Sequence, residues 1–193
     1  EVNNMEYPAV AQRKKKCIDL YRETENIRYA MEEDCIAHLF HGGFDTYEQI
    51  ADFCLEHNID TVYDIGCAYG HQSQTYLNKD IEYVGINEHD LEFYNTDKCR
   101  FIAKHYPFKI DAPDNALAVS VMCLGWGVYL YKGTKTLRKQ FESLARDFNH
   151  CLLYISNERY KCGTEYFKNY EILEEGKIGS MVYYYNSYEK GKE

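Results

Sequence analysis

The spacing of apolar residues changes character along the chain. Over residues 8–40, apolar positions such as Val10, Cys17, Leu20, Tyr21, Ile27 and Met31 recur at roughly helical intervals with no glycine between them, which predicts a helical region. "HGGF" at 41–44 ends that pattern. A second helix is expected from Thr46, because "DTYEQIADFCLEHN" offers a cap ahead of Ile50, Phe53, Cys54 and Leu55. Beyond residue 60 the pattern becomes one of short apolar runs separated by helical stretches. "TVYDI" and "IEYVGI" read as strands on either side of a helical "HQSQTYLNK", followed by a weak helix or loop in "DLEFYNTDKC". "RFIAKHY" predicts a third strand stopped by Pro107, and the unbroken "ALAVSVMCL" predicts a fourth, buried on both faces. "KTLRKQFESLARDF" is an amphipathic helix that feeds directly into the strand "CLLYIS". The two runs in "YEILEEGKIGSMVYYYNSY" flank an "EEGKIG" turn and predict an antiparallel hairpin, with the rings of "YYYNSY" at 183–188 alternating across a strand.

Strand and helix in alternation, closed by a hairpin, imply an α/β fold: an open, mostly parallel sheet with helices on both faces. Residues 1–45 are expected to form an N-terminal helical extension or cap, and residues 46–193 the α/β domain. At 193 residues, 45% of them hydrophobic, the chain has enough apolar surface for one full core. Its net charge of −9 disfavours a long nucleic-acid footprint, since phosphate binding needs a local excess of Lys and Arg. The one basic run, Arg13 to Lys16, reads as a solvated helix face, with a partner or nucleic-acid contact as the alternative. Eight cysteines are scattered singly, with no metal-ligand spacing. That scatter fits a reducing compartment better than a disulfide framework. No apolar run reaches the length of a membrane span and no signal-peptide core opens the chain, so a cytoplasmic location is expected.

The most informative stretch is "TVYDIGCAYGHQSQTYL". A strand ends in Asp64, and small residues follow at alternate positions: Gly66, Ala68 and Gly70. Small residues permit positive φ and let main chain approach a ligand. A helix beginning near His71 would aim its first amides at the same space. In open α/β sheets a ligand lies outside the carboxyl ends of the strands where the winding reverses, and this bend is such a place. A dinucleotide site would require G-x-G-x-x-G; Gly66, Ala68 and His71 stand at those positions, so that reading is disfavoured.

Acid-x-Gly-x-Gly-x-Gly is the better match, met by Asp64, Gly66, Ala68 and Gly70 with one replacement. At these residues the chain resembles the class I S-adenosylmethionine (SAM)-dependent methyltransferases. "VYDIGCAYG" is similar to their first motif, "YVGINEHD" to their second, and "FKIDAPDNALAVSVMCLGW" to the region around their fourth strand. The resemblance covers about residues 46–185. It implies a Rossmann-like sheet, SAM as cofactor, and a site made of Asp64, Gly66, Cys67, Ala68 and Gly70 at the methionine end. It also implies Asn87 or Glu88 at the ribose hydroxyls, and Asp111 or Asp114 at the adenine amine. Two departures stand out: Ala68 replaces the middle glycine, and Asn87 occupies the position where the family has an acid.

Methyl transfer from a sulfonium needs mainly an aligned nucleophile, so no catalytic constellation is required for an enzyme. His71 is a candidate for a base or for a hydrogen bond to the cofactor carboxylate, with Tyr69 of similar standing, and Trp126 for a ring stacked on a planar or cationic acceptor; His38 and His41 are weaker candidates for covering the pocket from the N-terminal cap. "CLGWG" stands where an amine- or base-methylating enzyme of the adenine type would carry an Asp/Asn/Ser-Pro-Pro-aromatic signature. With the acidic charge, this directs the expectation to a small-molecule or protein acceptor. Two alternatives remain: a catalytically silent binding or regulatory module that keeps the fold, and a nicotinamide-dependent reductase.

Overall fold

In the computed structural model, residues 6–88, 96–124 and 133–186 are described. A seven-stranded sheet runs through the molecule: β1 (Thr61–Ile65), β2 (Glu82–Asn87), β3 (Cys99–Ala103), β4 (Ala116–Val121), β5 (His150–Ser156), β6 (Asn169–Glu175) and β7 (Gly179–Tyr185). The spatial order is β3-β2-β1-β4-β5-β7-β6. Strands β1 to β5 are parallel, and β7 runs antiparallel to both β5 and β6. This is the expected Rossmann-like α/β sheet with its terminal hairpin. The winding reverses between β1 and β4, so their carboxyl ends open a crevice there.

Side chains alternate along each strand and divide the core into two layers. Tyr63, Ile65, Val84, Ile86, Ala118 and Leu153 face α5 (Gly133–Asp147), which presents Leu137, Phe141 and Leu144. Val62, Tyr83, Leu117, Val119 and Leu152 face α3 (Phe44–Glu56) and α4 (Ser73–Leu77), which contribute Ile50, Phe53, Cys54 and Tyr76. Every residue of β1 is buried, as a central parallel strand covered on both faces requires. Every residue of the edge strand β6 is exposed.

The helical N-terminus differs from a single long helix. α1 (Pro8–Thr24) stops where Glu25 turns left-handed, φ 54°, and α2 (Ile27–His38) starts afresh with the Asn26 side chain accepting from the Arg28 N–H at 3.0 Å. A kinked turn, Leu39–Gly43, with Gly42 at φ 121°, leads into α3 two residues before the expected start. Tyr7 ties this region down: its ring stacks on Phe44 at 3.8 Å, and its hydroxyl meets Glu48 and, at 3.1 Å, Thr75. The helix expected over "HQSQTYLNK" shrinks to the five residues of α4. All eight cysteines are free thiols. Among the described residues no helix is long and apolar enough to cross a membrane, and no group of His, Cys, Asp or Glu could hold a metal ion.

Candidate functional site

β1 delivers Asp64 to the buried core and then bends through three left-handed residues: Gly66 at φ 79°, Ala68 at 50° and Gly70 at 71°. Asp64 is 1% exposed, and its Oδ2 accepts from the Tyr83 hydroxyl at 2.7 Å and from Gln72 Nε2 at 2.8 Å. Burial pushes this carboxyl up to about 6, against the two hydrogen bonds that favour its ionised form. Gln72 Nε2 also donates to the Cys67 carbonyl at 2.9 Å, so one amide fastens the bend to the strand that precedes it. The acid that opens the motif is therefore an internal brace.

The glycines serve packing as much as openness. A Cβ on Gly66 would overlap the side chain of Cys123, from the turn after β4. On Gly70 or Gly85 it would overlap the Phe101 ring of β3. Nor do the bend and helix amides all face outward: Gly66 and Cys67 donate to the Ile86 carbonyl at 2.9 and 3.2 Å, and Ser73, Gln74 and Thr75 donate to Gly70, His71 and Gln72. The expectation that bare main chain at 66–70 and the helix start would cradle a ligand is thus corrected at Gly70 and at the first amides of α4. Their space and donors are used within the protein.

A hollow does lie where the winding reverses. It has a volume of about 200 Å³ and is walled by Ile65, Gly66, Ile86, Asn87, Glu88, Lys104, His105, Tyr106, Cys123, Leu124 and Gln140. β2 ends at Asn87, so Asn87 and Glu88 both reach the same hollow despite starting on opposite faces of the strand. Glu88 pairs with His105 Nδ1. Gln140, from α5, brings a buried Oε1 with no hydrogen-bond partner among the described residues.

Of the candidates read from sequence, the structure brings Gly66, Asn87 and Glu88 to the hollow. Asp64, Cys67, Ala68 and Gly70 stand behind it in the bend and do not line it. Asp111 is not brought there: its side chain is 97% exposed beside Lys109, and with Asp114 it lines a separate groove at the amino edge of β4 and β5. His71 is 1% exposed, with Nε2 3.0 Å from Glu32 Oε1, so it supports the bend and is not poised over the hollow. His38 and His41 are exposed and hydrogen-bond carbonyls of their own helical region through Nδ1. Tyr69 sits against α2, its hydroxyl 3.5 Å from the Arg28 carbonyl. Trp126 lies outside the described residues. Lys104, His105, Tyr106 and Gln140 were not expected. The strand expected to stop before Pro107 was the available signal for the first three, because residues following a parallel strand, here after Ala103, emerge at its carboxyl end.

The hollow combines an apolar floor with polar walls. Ile65, Ile86 and Leu124 give it an apolar floor, Asn87 and Glu88 offer acceptors for hydroxyls, and the Gln140 oxygen has no donor among the described residues. Its size falls below the roughly 300 Å³ at which pockets for whole drug-sized ligands begin. It is therefore too small to enclose a whole ligand of that size.

No protein-family model and no curated protein sequence matches the chain. Solved structures do. Magnesium protoporphyrin IX methyltransferase from Synechocystis PCC 6803, with bound SAM, superposes at a TM-score of 0.54 with 12% identity, over 91% of this chain and 97% of that one. Human N-acetylserotonin methyltransferase in complex with SAM gives 0.58 with 10% identity, over 96% of this chain and 59% of the other. The bifunctional kinase-methyltransferase WbdD gives 0.52 with 18% identity over 75% of this chain, which spans only 38% of WbdD. These likenesses show the fold: the chain is built on the class I SAM-dependent methyltransferase sheet.

Proposed function

We propose that the protein is a SAM-dependent methyltransferase whose acceptor is a small molecule or a protein side chain. The observation that carries this reading is the position of the hollow: at the carboxyl ends of β1, β2 and β4, with an apolar floor and with Asn87, Glu88 and Gln140 among the polar residues of its wall. Asn87 and Glu88 would hold the ribose hydroxyls, Gln140 Oε1 would accept from the base, and main chain at Gly66 would lie alongside. The cofactor, when bound, supplies an electrophilic methyl group on a sulfonium. What the protein must add is alignment, holding a nucleophile about 3 Å from that carbon and in line with it. His71 contributes by position, since Glu32 holds it below the surface. The net charge of −9 favours a neutral or cationic acceptor over a polyanion.

A second reading, a silent relative that keeps the sheet and binds no cofactor tightly, draws on the small volume of the hollow and on the committed state of Asp64. Isothermal calorimetry with SAM and with S-adenosylhomocysteine separates the two. Saturable heat with both ligands at micromolar concentrations is expected. No heat at high micromolar ligand removes the enzyme reading and leaves the silent one.

A further inference from the structure

Glu32 lies on α2, 39 positions before His71, and is completely buried. Both of its oxygens are engaged. Oε1 accepts from Arg13 Nε at 2.7 Å and meets His71 Nε2 at 3.0 Å, while Oε2 accepts from Arg13 Nη2 at 2.8 Å. Burial alone would raise this carboxyl; the hydrogen bonds and charges of His71 and Arg13 outweigh it and hold the group at about 2. One carboxylate thus joins α1, α2 and the residue directly after the bend.

The bend needs such a hold. Gly66, Ala68 and Gly70 all take positive φ within five residues, and Ala68 carries a Cβ into a region that L-residues avoid. Glycine takes such angles freely, but at Ala68 the conformation persists only where surrounding structure over-determines it. From the sheet side, Gln72 grips Asp64 and the Cys67 carbonyl. From the other side the grip is Glu32 on His71, reinforced by the contact of Tyr69 with the Arg28 carbonyl.

We infer that Glu32 is a positioning residue: by holding His71 it keeps the 66–71 bend in its left-handed course, so that the N-terminal helices set the affinity of the adenosyl site. This rests on the methyltransferase reading for its ligand, but not for its effect on the bend. Arg13 is part of the same device, because it keeps Glu32 ionised and oriented when the carboxylate is out of water.

Two measurements on Glu32→Gln test it. Hydrogen exchange of the amides of Gly66, Cys67, Gly70 and Ser73 should quicken at least tenfold while those of β5 are unchanged. S-Adenosylhomocysteine affinity, read by calorimetry, should fall about tenfold. His71→Gln, which leaves the Arg13–Glu32 pair intact, should reproduce both effects and serves if Glu32→Gln does not fold. Exchange that rises evenly over the whole sheet, or bend amides that do not change, overturns the inference. So does a quickened bend with unaltered affinity. Should wild-type protein bind no S-adenosylhomocysteine, the functional reading falls, and the exchange experiment still decides whether Glu32 holds the bend.

Discussion

Two depressions flank the central strands, and the larger is the less promising. The groove at the amino edge has a volume of about 450 Å³, against about 200 Å³ for the hollow at the carboxyl edge. In the groove the charges are spent on one another: Arg146 forks onto Asp147, Asp147 also accepts from the Ile110 N–H at 3.0 Å, and Lys109 stands by Asp111. In the wall of the hollow Gln140 carries a buried amide oxygen with no partner among the described residues, beside an apolar floor and at the point where the sheet reverses. Unmet polar demand at a switch point is a better guide to a ligand than room alone.

The most severe way to break this contrast is Gly66→Val. The new side chain meets Cys123 and must adopt φ 79°, so a loss of roughly 3 kcal/mol in stability is expected, with ligand binding abolished. Denaturant melts and calorimetry would record both, and retained binding would mean that Gly66 is not beside the ligand.

Acid pH sharpens the contrast next. Asp64 has a folded-state value of about 6, above its ordinary value of 3.8, so the native state holds the proton more tightly than the unfolded chain. The stability it contributes is complete below about pH 4 and is lost as pH rises through 6, roughly 3 kcal/mol in all. Glu32, held at about 2, acts in the opposite sense and only at lower pH. Asp64→Asn keeps an acceptor for Tyr83 and Gln72 but does not titrate; its unfolding free energy should be flat from pH 4 to 6 where wild type declines. Parallel profiles would show that Asp64 is not the group responsible.

The mildest comparison pairs the two depressions directly. Gln140→Leu should weaken S-adenosylhomocysteine binding by about 1–2 kcal/mol, since the donor on the ligand would be left without its acceptor. Asp111→Ala, in the exposed groove, should change affinity by less than about 0.5 kcal/mol. Equal effects, or the reverse order, would place the adenine at the wrong edge.

Much of the sheet was legible because a buried parallel strand is an unbroken apolar run, and the hairpin because its turn is spelled out in "EEGKIG". The strand order was not, since crossovers leave no trace in local pattern. The break at Glu25 was hidden because a left-handed non-glycine looks like any other helical residue. At the site, the bend was visible as small residues, but whether their space would go to a ligand or to Cys123 and Phe101 depends on contacts made by distant chain. Asp111 and Asp114 were assigned by motif order. Parallel connectivity points elsewhere, because residues just before Ala116 must emerge at the amino end of β4. Gln140 could not be foreseen: nothing in an amphipathic helix says which polar residue will look over the strand ends.

The ring of Phe101 fits into the gaps left by two missing side chains, one on the bend at Gly70 and one on β2 at Gly85. It works as a wedge driven from the third strand into the turn of the first. Any displacement of β3 would be felt at the bend through that single ring, with no intervening loop to absorb it. The sheet margin and the left-handed bend after β1 are therefore one mechanical unit.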